Sequence, residues 1–123
     1  AKEKLAMVQL NSDVLKMNPN EISGGMQKRV ALARAIASNP KIIFFDEPTA
    51  GLDPSTSRSI SKLIRDLCEQ LNTTIITITH DNKCMATVAD KVAVIDRGAI
   101  SWHGTIDEAL DELFPSSNFK SLS

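Results

Sequence analysis

At 123 residues the chain is one domain at most, and 42% hydrophobic with 24% charged residues is the make-up of an ordinary soluble globular protein. A formal net charge of −1 without any basic run gives no footing for nucleic acid or an anionic membrane surface. No signal pattern opens the chain and no apolar run approaches the ~20 residues that span a bilayer, so direct membrane insertion is not expected and any membrane association goes through a partner.

Leu5 and Val8 stand at helical spacing in the first ten residues, and a short helix is expected over Asp13 to Met17 before Asn18-Pro19-Asn20. Ser23 is placed to cap a helix running to about Ser38, with Met26, Val30, Ala33 and Ala37 on one face. Asn39-Pro40 ends it, and Lys41 to Phe45 is a continuous apolar run of the kind a parallel strand covered on both faces shows. Asp53 caps the next helix with Pro54 at its first position, and Ile60, Leu63, Ile64, Leu67 and Leu71 make its buried stripe.

Cys68 lies beside that stripe as an expected core residue. Neither it nor Cys84 has the spacing of a redox or metal pair, so both are read as reduced thiols. Thr74 to Thr79 is rich in β-branched residues and reads as a second strand. Asp81 is a cap for a helix carrying Met85 and Val88, and Val92–Ile95 with Ala99–Trp102 form a hairpin around Asp96-Arg97-Gly98. Thr105 with Glu108 is a capping box for a helix to about Phe114, and the tail from Pro115 to Ser123 is polar and loose. Strand alternating with helix gives an α/β layered fold.

Three places carry chemistry. Ser23-Gly24-Gly25 opens a helix, where unpaired N–H groups and the helix dipole favour an anion and glycine admits a phosphate oxygen to the backbone; an ordinary capped helix start is the alternative. Asp46-Glu47 ends an apolar strand, the place where functional groups gather in α/β sheets; a surface turn is the alternative. There Asp46 can hold magnesium through its water shell and Glu47 can orient or deprotonate an attacking water. His80 ends the second strand and can donate to a phosphate, or serve the local backbone. His103, at the hairpin exit, is read as structural or surface, and two histidines without companion ligands make a zinc site improbable.

The order of these pieces resembles one family. Ile22 to Ala35 resembles the signature motif and helix of ABC ATPases, and Ile42 to Glu47 their Walker B strand with its catalytic glutamate. Ala50-Gly51-Leu52-Asp53 is similar to their D-loop and His80 to their switch histidine. The resemblance implies the C-terminal part of an ABC-type ATPase domain. Residues 1–22 would end a helical subdomain, 23–114 would be the signature-to-C-terminal part of the core, and 115–123 a loose tail. The fold so implied is a mostly parallel but incomplete sheet with flanking helices and a terminal β-hairpin, whose open edge invites aggregation.

By the same resemblance Glu47 is the general base, His80 contacts the γ-phosphate, and Asp46 is a water-mediated magnesium partner. Ser23, Gly24, Gly25 and Met26 reach ATP held by a second subunit, and Asp53 lies at that dimer interface. ATP and magnesium are the implied cofactors. A second ATPase subunit, in a homodimer, and membrane permease subunits are the implied partners, on the cytoplasmic face of the cell membrane.

Met26 in the signature, together with Asp46 to Pro54 and Thr79-His80-Asp81, looks like the ATPases of Mla-type phospholipid transporters, so phospholipid is the leading cargo. Alternatives are an importer of amino acid, peptide or metal, an ABC protein without permease, and a non-catalytic chain lending its signature in trans. No Gly-x-x-x-x-Gly-Lys-Ser/Thr phosphate loop occurs in the 123 residues, so the isolated chain is expected to neither bind ATP tightly nor hydrolyse it.

Overall fold

The computed structural model describes residues 2–10, 16 and 23–115. Helix α1 (Lys2–Met7) leads to α2 (Gly24–Ile36), strand β1 (Ile42–Asp46), α3 (Pro54–Leu71), β2 (Thr74–Ile78) and α4 (Asn82–Val88). Strands β3 (Lys91–Asp96) and β4 (Ala99–Thr105) and helix α5 (Ile106–Glu112) complete the chain order. The fold is α/β, as the alternation of strand and helix implies. The helix expected at Asp13–Met17 (Lys16 apart), Ile22 of the signature, and the tail past Pro115 lie outside the described residues.

Helix α3 is the organiser. Its 18 residues carry apolar side chains at helical spacing, and Ile60, Leu63, Ile64 and Leu67 are buried, with Leu71 packed at their border. Asp53 and Pro54 start it as expected, and Asn72 ends it in the left-handed conformation at φ 48°. Against this stripe pack Leu32, Ala33 and Ile36 of α2, Ile43 and Phe45 of β1, and Leu5 and Val8 from the first ten residues. The face expected for α2 is thus partly corrected. Met26 and Val30 lie half-buried at the core and Ala33 is buried, but the helix stops at Ile36, so Ala37 is its exposed C-cap while Leu32 and Ile36 take the inner positions.

Strands β1 and β2 pair in parallel, Ile42 opposite Thr74 through Asp46 opposite Ile78. One face of the pair, Ile43 and Phe45 with the half-buried Ile75, meets the helices. On the other, Phe44 is 67% exposed and Ile42, Ile76 and Ile78 are exposed as well. A strand covered on both faces was the reading of the apolar run, and the described residues cover one. The apolar run is longer than the one covered face requires. Among the described residues the parallel part of the expected incomplete sheet is this pair, and the expected terminal hairpin is β3 with β4, a separate antiparallel pair.

The hairpin turns through Arg97 and Gly98, both at positive φ (51° and 79°), as a two-residue type I′ turn demands. It runs further than expected, to Thr105 on β4, with a bulge between Val94 and Ile95. Thr105 and Glu108 form the anticipated capping box. Arg65 of α3 donates to Asp90 just ahead of β3 at 2.8 Å, which holds its guanidinium pKa above the ordinary arginine value and ties α3 to the start of the hairpin. Cys68 is half-buried and donates to the Thr73 carbonyl at 3.3 Å; the buried thiol is Cys84, on α4. His103 is exposed on β4, in line with a surface role. Among the described residues no helix is long and apolar enough to cross a membrane.

Candidate active site

The amino end of α2 is set by Ser23, whose backbone is extended (φ −64°, ψ 164°) and whose Oγ accepts from the Met26 N–H at 3.2 Å. A serine hydroxyl still has its proton to give, so capping leaves it a donor for an anion. Gly24 and Gly25 bring this turn against the start of α3. A Cβ on Gly25 would stand 2.9 Å from Thr56 Cγ2, and one on Gly24 3.4 Å from Leu52 Cδ2.

Thr56 cannot simply rotate away, because its hydroxyl donates to Asp53 Oδ1 at 2.6 Å and its N–H to Asp53 Oδ2 at 3.1 Å. Gly25 therefore serves close packing here, whatever it offers a phosphate. Alanine would gain up to about 1 kcal/mol of helix propensity at this position but is expected to lose about 1–3 kcal/mol to the clash. Denaturant unfolding of Gly25→Ala, alone and with Thr56→Ser, checks it. The double variant, lacking the offending methyl, should recover the loss.

The same two hydrogen bonds, the hydroxyl's first, hold the Asp53 carboxyl below the usual carboxylate range. A carboxyl with a depressed folded pKa stabilises fully above its unfolded pKa, and that contribution is lost as pH falls through the folded value. Thermal unfolding against pH should therefore show wild type losing stability below the usual carboxylate range more steeply than Asp53→Asn, which caps without titrating. Asp53 is exposed, so the difference is modest.

The parallel register brings the carboxyl ends of β1 and β2 to one edge, and there Glu47 and His80 meet. Glu47 sits at φ 49°, a left-handed backbone that a non-glycine residue holds only when its surroundings fix it. Its N–H donates to the Ile78 carbonyl at 2.7 Å, extending the ladder by one rung, and its own carbonyl accepts from Lys28 Nζ of α2 at 3.4 Å. The carboxylate takes the His80 N–H on Oε2 at 3.4 Å and lies 3.6 Å from His80 Nε2 through Oε1. The Glu47 side chain is one-third exposed and the imidazole is 98% exposed.

Beside them opens a cleft of about 440 Å³ whose walls include Glu47, Thr49, Ser57, His80, Asp81 and Cys84. Burial pushes the Cys84 thiol above its ordinary pKa, so it stays protonated and unreactive. Asp46 ends β1 exposed to solvent. Among the described residues no three histidine, cysteine or acidic side chains converge as a metal site. Asp46 is thus suited to an outer contact with a water-clad magnesium and not to holding the ion alone.

Sequence reasoning singled out Glu47 and His80 and missed what braces them. Lys28 reached over to Glu47, and Thr49 bonded to Asp81, are tertiary contacts that no local spacing announces.

A family model described as "ABC transporter" matches residues 1–50. Curated relatives are methionine import ATP-binding proteins: one from Streptomyces griseus is 43% identical over 94% of this chain and 34% of its own length. Its counterpart from Clostridium acetobutylicum is 41% identical over 98% of this chain and 37% of its own. Among solved structures, the dimeric bacterial ABC transporter cassette MJ0796 superposes with a TM-score of 0.71 at 35% identity, over 85% of this chain and 44% of that one. A second structure of MJ0796, a post-hydrolysis state bound to ADP and phosphate, matches equally. Fold and matches together make the chain similar to part of an ABC transporter ATP-binding domain. The chain spans about a third of the length of the curated relatives it matches.

Proposed function

We propose that these residues are the signature-to-C-terminal part of the ATPase of an ABC importer whose cargo is a small amino acid of the methionine kind. The observation that carries the hydrolytic reading is the Glu47–His80 contact at one sheet edge. Glu47 is the general base that takes a proton from the attacking water, its carboxylate aimed by the His80 N–H. The exposed His80 ring donates to the charge developing on the γ-phosphate. Asp46 makes a water-mediated contact to magnesium, which when bound offsets phosphate charge.

The phosphate-binding loop of this composite site comes from outside these 123 residues. Ser23, Gly24, Gly25 and Met26 face ATP held by a second ATPase subunit, and Asp53, bonded to Thr56 beside Gly25, lies on that shared interface. The working unit is a homodimer docked on permease subunits at the cytoplasmic face of the cell membrane. A non-catalytic chain lending only its signature would have no use for a carboxylate and imidazole held together.

Phospholipid cargo rested on a few positions, Met26 together with Asp46 to Pro54 and Thr79-His80-Asp81. The identity to methionine importers runs through nearly the whole chain and supports the amino-acid alternative instead. The test is ATP turnover by the complete transporter in proteoliposomes. Stimulation by methionine and not by added phospholipid is expected, and the reverse would return the cargo to lipid.

A further inference from the structure

A part-buried hydrogen bond joins the two loops of the site and has no part in the chemistry proposed above. Thr49, two residues beyond Glu47, is only 5% exposed, and its Oγ1 donates to Asp81 Oδ2 at 2.9 Å. Asp81 immediately follows His80. Its other oxygen, Oδ1, accepts the N–H groups of Lys83 and Cys84 at 3.0 and 3.1 Å, and its own N–H donates to Thr79 Oγ1 at 2.9 Å. Asp81 is thereby fixed to α4 on one side and to the Glu47 loop on the other.

His80 needs such an anchor. With its ring 98% exposed, no packing holds the imidazole, so it goes where its backbone goes. Glu47 in turn occupies a backbone conformation that its neighbours must impose. From this geometry we propose that Thr49 and Asp81 are a positioning pair, whose hydrogen bond sets the separation of the Glu47 carboxylate from the His80 imidazole. The inference rests on the hydrolytic reading and adds to it the residues that align its two groups. Valine in place of Thr49 keeps the volume but leaves Asp81 Oδ2 facing a methyl group. Asp81 must then turn toward another donor, and His80 moves with it.

The test compares wild type, Thr49→Val, Thr49→Ser and Glu47→Gln in the assembled ATPase. Because a misplacement of ~1 Å can lower turnover by ~10²-fold, Thr49→Val is expected to lower kcat by roughly 10- to 100-fold with KM for ATP within about twofold, and Thr49→Ser to restore it. A Thr49→Val enzyme as fast as wild type, or a Thr49→Ser enzyme as slow as Thr49→Val, overturns the pairing while a dead Glu47→Gln leaves hydrolysis standing. Full turnover by Glu47→Gln overturns both. A second readout needs no activity: the His80 ring resonances, followed by NMR in the assembled ATPase, should move in Thr49→Val and not in Thr49→Ser. Unmoved His80 resonances in Thr49→Val also overturn the proposal, and Thr49→Ala replaces Thr49→Val should the latter not fold.

Discussion

Glu47→Gln in the assembled ATPase is expected to lower ATP turnover by about 10²- to 10⁴-fold, the span a positioned general base contributes. That corresponds to about 3–5 kcal/mol of transition-state stabilisation at ~1.36 kcal/mol per decade. Glutamine keeps the shape of the side chain and can still accept the His80 N–H through its amide oxygen, so the loop should not move. What it cannot do is take a proton. ATP affinity is therefore expected to change little, and turnover measured beside equilibrium binding separates the two. A loss of less than about threefold would mean that Glu47 braces the loop and another group takes the proton.

Ile64→Ala is the variant expected to damage the fold most. Ile64 is 1% exposed at the centre of the α3 stripe, between the helices and the inner face of β1. Removing a buried isoleucine to alanine typically costs about 2–5 kcal/mol, through lost transfer energy and the cavity left behind. A domain has only ~5–15 kcal/mol in hand, so denaturant unfolding should show a large drop in midpoint or no cooperative transition at all. Phe44→Ala is the matched control. Phe44 is the larger side chain, but it is 67% exposed on the uncovered face of β1, and its loss should shift stability by no more than about 0.5 kcal/mol. Equal losses at the two positions would mean that the core lies elsewhere.

Local chemistry was legible in the sequence. Ser23, Asp53, Asp81 and Thr105 each cap the helix that follows, because a cap needs only its own side chain and the next turn. The α3 stripe was legible for the same reason, its period being written in consecutive residues. Long-range packing was not. Val8 is fully buried although it lies beyond the end of α1, and Leu32 and Ile36, not Ala37, fill the α2 interface. Cys68 differs from expectation likewise: the helix turns it toward the Thr73 carbonyl at its border, and the buried thiol is Cys84, which α4 lays under the cleft.

The candidate site divides along the same line. Asp46, Glu47 and His80 were each legible as residues at strand ends, but their meeting depends on parallel pairing in a particular register. Gly25 reads as a phosphate-facing glycine in sequence, and the structure shows it as a packing glycine, since only the folded chain brings Thr56 to its Cα. The phospholipid reading drew on Met26, Asp46 to Pro54 and Thr79-His80-Asp81, a few positions, whereas the similarity to methionine import ATP-binding proteins runs along nearly the whole chain.

The most direct measurement is ATP hydrolysis by the purified 123-residue chain, alone and after assembly with a cassette N-terminal part that carries the phosphate-binding loop. No hydrolysis alone, and turnover on assembly that vanishes with Glu47→Gln, is the expected result. Robust hydrolysis by the chain alone, or an assembled enzyme indifferent to Glu47, would contradict a composite site built on Glu47 and His80.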